Sequence, residues 1–245
     1  MNTTEQLPDK SQVFASQLTE LLNATVAYGT SLVASRVDSR DFLIALSAVG
    51  SRKTNFDYIP LVASPKINGS PAFGLKIRYL VRFDESERRL IVEKSWTSIF
   101  ALHDKPMPVL RWEYVRDGGI EPGVKPKRKH VRHAAHVQIH GWSTELNRIA
   151  NLADQRPKKT ISGNLDNLHF PVGGRRFRPS IEDILEFLVS HSFVSQFHDG
   201  GEKILSESRE KWLKLQLKAA ISDDIDTAIS SLTENGYQVQ KVSES

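Results

Sequence analysis

Four histidines, His130, His133, His136 and His140, stand behind and within a run of lysine and arginine in KPKRKHVRHAAHVQIHG, residues 125–141. Imidazole exchanges protons and binds metals near neutral pH, so this segment holds more chemistry per residue than any other stretch of the chain. Backbone geometry decides which chemistry. On a helix, His136 and His140 would lie at i and i+4 on one face and could share a metal ion. On a strand they would share a face about 13 Å apart, too far for one zinc ion whose imidazole bonds are about 2 Å. His136, Gln138 and His140 alternate with Val137 and Ile139, and the β-branched pair followed by Gly141 favours the strand. The polar face could then line a groove, with imidazoles as general acid or base, or it could be the solvated side of an antiparallel sheet.

Cations cluster around these imidazoles. Lys125, Lys127, Arg128, Lys129 and Arg132 lie in the same segment, and Arg175, Arg176 and Arg178 follow two glycines in LHFPVGGRRFRPS, residues 168–180. Guanidinium groups ahead of a helix N-terminus suit phosphate. The alternative is a turn whose arginines face solvent or pair with Glu182, Asp183 and Glu186. Metal-free RNA cleavage needs an acid, a base and a cation on the phosphate. His133, His136 and His140 as proton carriers, with these cations holding phosphates, fit a nucleic-acid-acting protein of ribonuclease type that uses neither metal nor cofactor. They fit equally a non-catalytic module that grips a polyanion or an acidic protein. Asp223, Asp224 and Asp226 read as a helix start complementing the dipole rather than a metal cluster. No GxxxxGK[ST], no GxGxxG after a strand and no GxSxG occurs, which disfavours a P-loop, a Rossmann fold and an α/β-hydrolase.

Charge is distributed unevenly. The formal net charge is +4, but residues 1–104 hold 12 Lys/Arg against 11 Asp/Glu, residues 105–178 hold 15 against 6, and residues 179–245 hold 6 against 12. A basic middle followed by an acidic end points either to a polyanionic partner or to an internal match between the two. A hydrophobic fraction of 39% and a charged fraction of 25% are ordinary for a folded chain. The absence of cysteine excludes disulfides, thiolate metal sites and a cysteine nucleophile, and fits a reducing compartment. The polar N-terminus and the lack of a long apolar run predict neither signal peptide nor membrane span, hence a cytoplasmic protein.

The elements that must position these groups follow from periodicity. Phe14, Leu18, Leu21 and Leu22 predict a helix over residues 11–26. Ser39 as a cap, with Phe42, Leu43, Leu46 and Val49, predicts a second helix ending at Gly50. Three prolines and two glycines make residues 59–74 extended or looped. Alternation predicts strands over residues 73–81, 90–96, 109–115 and 135–140, the first two forming a hairpin and residues 116–129 a loop. A short hairpin over residues 167–170 and 175–177 closes this region. Ser180 with Asp183 predicts a helix start, with Ile184, Leu185, Leu188 and Val189 buried. A helix over residues 202–220 is expected to bury Ile204, Trp212, Leu215 and Ala219, and a third to run from Ser222 to Asn235-Gly236. Residues 237–242 alternate as an edge strand would. The expectation is an α+β fold: an antiparallel sheet of about four to six strands backed by N-terminal and C-terminal helices. Residues 1–60 would form a helical segment packing on the main domain, 61–190 the sheet and helix with the basic middle, and 191–245 an acidic helical segment.

The His-φ-Gln-φ-His pattern of residues 136–140 resembles the His-φ-His-φ-His signature of histidine-triad nucleotide hydrolases and transferases, but Gln138 occupies the place of the nucleophile, so that activity does not carry over. Three features together resemble the TumE-like proteins of bacterial toxin–antitoxin systems. These are Arg111-Trp112 on an aromatic strand, the later His133, His136 and His140, and a final helix opening with the serine-led acidic turn of residues 180–188. The resemblance spans roughly residues 73–190. It implies a small antiparallel sheet backed by a helix, acting on RNA or another nucleic acid inside a bacterial cell. Substrate, oligomeric state and the independence of residues 1–60 are left open by the sequence.

Overall fold

The computed structural model describes residues 6–39, 41–46, 58–83, 89–103, 106–116, 134–152, 163–174 and 178–240. Helix α1 (Gln6–Thr25) precedes ten strands: β1 (Leu32–Arg36), β2 (Asp41–Leu46), β3 (Ile59–Pro60), β4 (Lys66–Ile67), β5 (Ser70–Pro71), β6 (Phe73–Phe83), β7 (Leu90–Ala101), β8 (Met107–Val115), β9 (Ala135–Ile139) and β10 (Phe170–Pro171). Helix α2 (Thr144–Leu152) and a 3-10 turn (Leu165–Asn167) separate β9 from β10, and α3 (Ile181–Ser190), α4 (Gly201–Asp223) and α5 (Ile225–Glu234) follow. One antiparallel sheet runs β1-β2-β6-β7-β8-β9-β10, with β3 also paired to β6, while β4 and β5 form a separate ribbon.

The fold is α+β, with eight strands in the main sheet rather than four to six. The difference begins at residues 41–46, which are a strand and not the start of a second helix. Phe42 and Ile44 are buried opposite Val81 and Tyr79 of β6. In so short an apolar run, a helical and an alternating spacing both match, and pairing to a waiting strand decides. Residues 32–36 and 41–46 therefore belong to the main sheet; residues 47–50 lie outside the described residues.

Directly paired residues share a sheet face. Leu75-Ile99-Leu110-Ile139, Ile77-Thr97-Trp112-Val137 and Tyr79-Ser95-Tyr114-Ala135 form three such rows on one face. Against it pack α1, α3 and the start of α4: Leu18, Leu21, Leu22, Ile181, Leu185, Leu188 and Leu205 join Leu75, Ile77, Tyr79 and Val81 in one core. Phe14 meets Tyr79 edge-on, and Trp112 meets Phe187 likewise. Burial pushes the Tyr79 phenol far above its ordinary range, and the Glu182 charge adds to this. Helix α3 begins as expected: the Ser180 hydroxyl accepts from the Asp183 backbone N–H, and the Asp183 carboxylate accepts from that of Ser180.

Helix α4 departs from expectation. Its body-facing stripe runs through Leu205, Trp212 and Gln216, while Ile204 and Leu215 are 41% and 60% exposed. The helix phase is set at its first residue, where a Cβ on Gly201 would stand 2.7 Å from the Ala24 carbonyl oxygen of α1. That close approach turns Leu205 inward in place of Ile204. Helix α5 opens on Asp224, whose carboxylate accepts from Thr227 N–H at 3.0 Å, and closes on Asn235 and Gly236. Residues 237–240 are not in a strand, in contrast to the alternation they display. Among the described residues no helix is long and apolar enough to cross a membrane, and no group of three or more His, Asp or Glu is arranged to hold a metal.

Candidate functional site

The other face of the sheet is polar. Arg78-Trp96-Glu113-His136 form one cross-strand row and Lys76-Ser98-Arg111-Gln138 the next. Strand β9 is thus the strand that Val137 and Ile139 predict, and His136 and Gln138 point away from the helix-covered core. Strand β10 pairs Phe170 with Val137 and Pro171 with His136, which sets the preceding His169 beside Gln138. Gln138 Nε2 donates to His169 Nε2 at 2.6 Å, and the His136 and His169 rings lie 4.6 Å apart. His136 Nε2 stands 3.5 Å from a Glu113 oxygen, and Arg111 stands 3.9 Å from the other.

His140 lies one residue beyond β9 and is anchored by its backbone N–H, which donates to the Val109 carbonyl at 2.9 Å. Its ring Nδ1 faces both carboxylate oxygens of Asp166, at 2.9 and 3.1 Å. The 3-10 turn supplies that carboxylate. Asn164 accepts from Asp166 N–H at 2.8 Å, and Leu165 N–H donates to the Gly141 carbonyl at 2.9 Å, tying the turn to the end of the strand. Trp142 bridges to Asn164 across the same junction and is 62% exposed. Its indole occupies the space above Gly163, where a Cβ would fall 2.5 Å from the ring. Glycine is required there by close approach.

The structure brings His136 and His140 to one polar face, together with Gln138. His133, Lys125, Lys127, Arg128, Lys129 and Arg132 lie outside the described residues, as do Arg175 and Arg176. Arg178 is described: its guanidinium stacks 4.0 Å over Tyr114 and 5.4 Å from the Trp212 ring, on the helix-covered side. A cavity of about 20 Å3 is lined by Arg178, Tyr79, Tyr114 and Ser95, with His136 and Glu113 also in its wall. That is room for about one water. His136 and its partner Glu113 therefore border this cavity as well as the imidazole group. The buried Tyr114 hydroxyl has no hydrogen-bond partner among the described residues.

Sequence reasoning overlooked Asp166 and Trp142 and gave Glu113 no role. Asp166 carried one signal, its place after Asn164 in a residue order that suits a capped turn, but nothing in that order aims it at His140. Chemically, a carboxylate that accepts the Nδ1 proton fixes the imidazole tautomer and leaves Nε2 to take a proton. The His140–Asp166 pair has that geometry, and both side chains are partly exposed. Comparison of the chain with protein-family models, with curated proteins and with solved structures gave no match.

Proposed function

We propose that the protein cleaves single-stranded RNA, with His140 as general base. His140 Nε2 removes the proton of a 2′-hydroxyl, the oxygen attacks the adjacent phosphorus, the P–O5′ bond breaks, and an acid protonates the leaving oxygen. His169, acting through Nδ1 because its Nε2 accepts from Gln138, is better placed than His136 to be that acid. Along β9, His136 is about 13 Å from His140, whereas His169 lies beside Gln138, about 7 Å along the strand and one strand spacing of about 5 Å across. Arg111, paired in register with Gln138, offsets charge on the phosphate. Trp142 offers a face on which a base stacks. The resemblance of residues 73–190 to TumE-like proteins supports nucleic acid as the substrate class.

The observation that carries this reading is the two-oxygen grip of Asp166 on His140 beside an exposed indole. Incubating the full chain with end-labelled RNA in EDTA should give products ending in 2′,3′-cyclic phosphate. His140→Ala should lower the rate by about 10²–10⁴-fold, the usual worth of a general base. Undiminished cleavage by that variant would remove His140 from the mechanism.

A second reading rests on a separate observation. Lys76, Arg78 and Lys94 share the polar face with Trp96, a track of cations with an aromatic platform that suits binding a strand without cutting it. Salt-dependent RNA binding with intact RNA recovered would favour this over cleavage.

A further inference from the structure

Leu213, Leu217 and Ile221 recur at i, i+4 and i+8 along α4, on the side away from Leu205 and Trp212, and are 58%, 63% and 45% exposed. After the break at Asp224, α5 exposes Ile225, Ile229 and Leu232 in turn, and none of its side chains is buried. A ten-residue helix is marginal in water without tertiary packing. Six exposed aliphatic side chains on two successive helices mark a contact surface.

Charge along the same helices identifies the partner. Residues 211–218 contain Lys211, Lys214 and Lys218 and no acid, while residues 223–234 contain Asp223, Asp224, Asp226 and Glu234 and no base. We propose that this surface is the interface of a homodimer, in which α4 and α5 of one copy pack antiparallel against α4 and α5 of a second. A two-fold axis near Ile221 sets the lysine stretch of each copy opposite the aspartate stretch of the other; parallel alignment would oppose like charges. Lys214 is already bridged to Glu210 within its own helix, so Lys211 and Lys218 carry most of the attraction between copies. Helices of 23 and 10 residues, about 35 and 15 Å long, are long enough to build the roughly 800 Å2 per partner of a standard interface. This dimer is independent of the RNA reading.

Sedimentation of the full chain at micromolar concentration should give twice the 27.6 kDa of one copy. Leu217→Glu should yield a monomer with an unchanged circular dichroism spectrum. Lys211→Glu with Lys218→Glu, and separately Asp223→Lys with Asp226→Lys, should each weaken self-association at least about tenfold, since close charge pairs of this kind couple strongly. An equimolar mixture of those two variants should restore a dimer, because both sets of opposite charges meet again. A wild-type chain that stays monomeric at 100 µM overturns the proposal, including the case where it binds only some other protein. A dimer indifferent to Leu217→Glu, or a mixture that fails to recover, overturns it too.

Discussion

The two faces of one sheet make the most instructive contrast in this molecule. On the face under α1, α3 and α4, paired rows such as Leu75-Ile99-Leu110 and Ile77-Thr97-Trp112 meet a single apolar core. On the other, the same strands present Lys76, Arg78, Trp96, Arg111, Glu113, His136 and Gln138. Adjacent residues on one strand therefore live in different environments. The first face holds the fold through many small, additive burials. The second keeps charges and imidazoles that an apolar core would exclude, and where it buries them, as at Gln138 and His136, polar neighbours such as His169 and Glu113 stand beside them. Substitutions should sort by face: stability on one, chemistry on the other.

That separation can be broken or sharpened experimentally. The largest effect should come from the polar face, where His140→Ala lowers cleavage by about 10²–10⁴-fold while thermal unfolding is unmoved. A large drop in melting temperature would show that the polar face also supports the fold. On the covered face, Leu185→Ala, at a fully buried position, should cost about 2–5 kcal/mol in denaturant unfolding and leave the rate of the folded fraction intact. Loss of that rate under conditions where the variant is folded would show that the two faces are coupled. A smaller change tests the junction between β9 and the 3-10 turn. Gly163→Ala must displace the Trp142 ring, and RNA affinity should weaken by about 1–3 kcal/mol, the worth of one stacked base. Unchanged affinity in a filter-binding assay would remove Trp142 from the interface. The mildest is Ser180→Ala, which opens the capping box of α3 and should cost about 1 kcal/mol of stability with no change in RNA binding.

What could be read from the chain was local. The alternation of residues 73–81 and 109–115 assigned both faces of β6 and β8, and Ser180 with Asp183 marked the start of α3, because each signal spans four residues or fewer of contact. Residues 41–46 were misread because an apolar run that short satisfies two periods, and the choice belongs to β6, which pairs with it. The burial of α4 was misread for a related reason. Its helical phase is fixed by the contact of Gly201 with Ala24, and a rotation of one residue exchanges Leu205 for Ile204.

By itself the sequence favoured a strand whose one side carries His136 and Gln138 and leads to His140 just past its end, since a period of two follows from backbone geometry alone. Which of those groups acquired a partner was decided by tertiary structure. Asp166 reaches His140 across 26 residues, His169 reaches Gln138 across 31, and Arg178 crosses to the covered face to stack on Tyr114. Contacts at that separation depend on the path of the whole chain between them, and no periodicity in the intervening residues encodes where a turn will set its carboxylate.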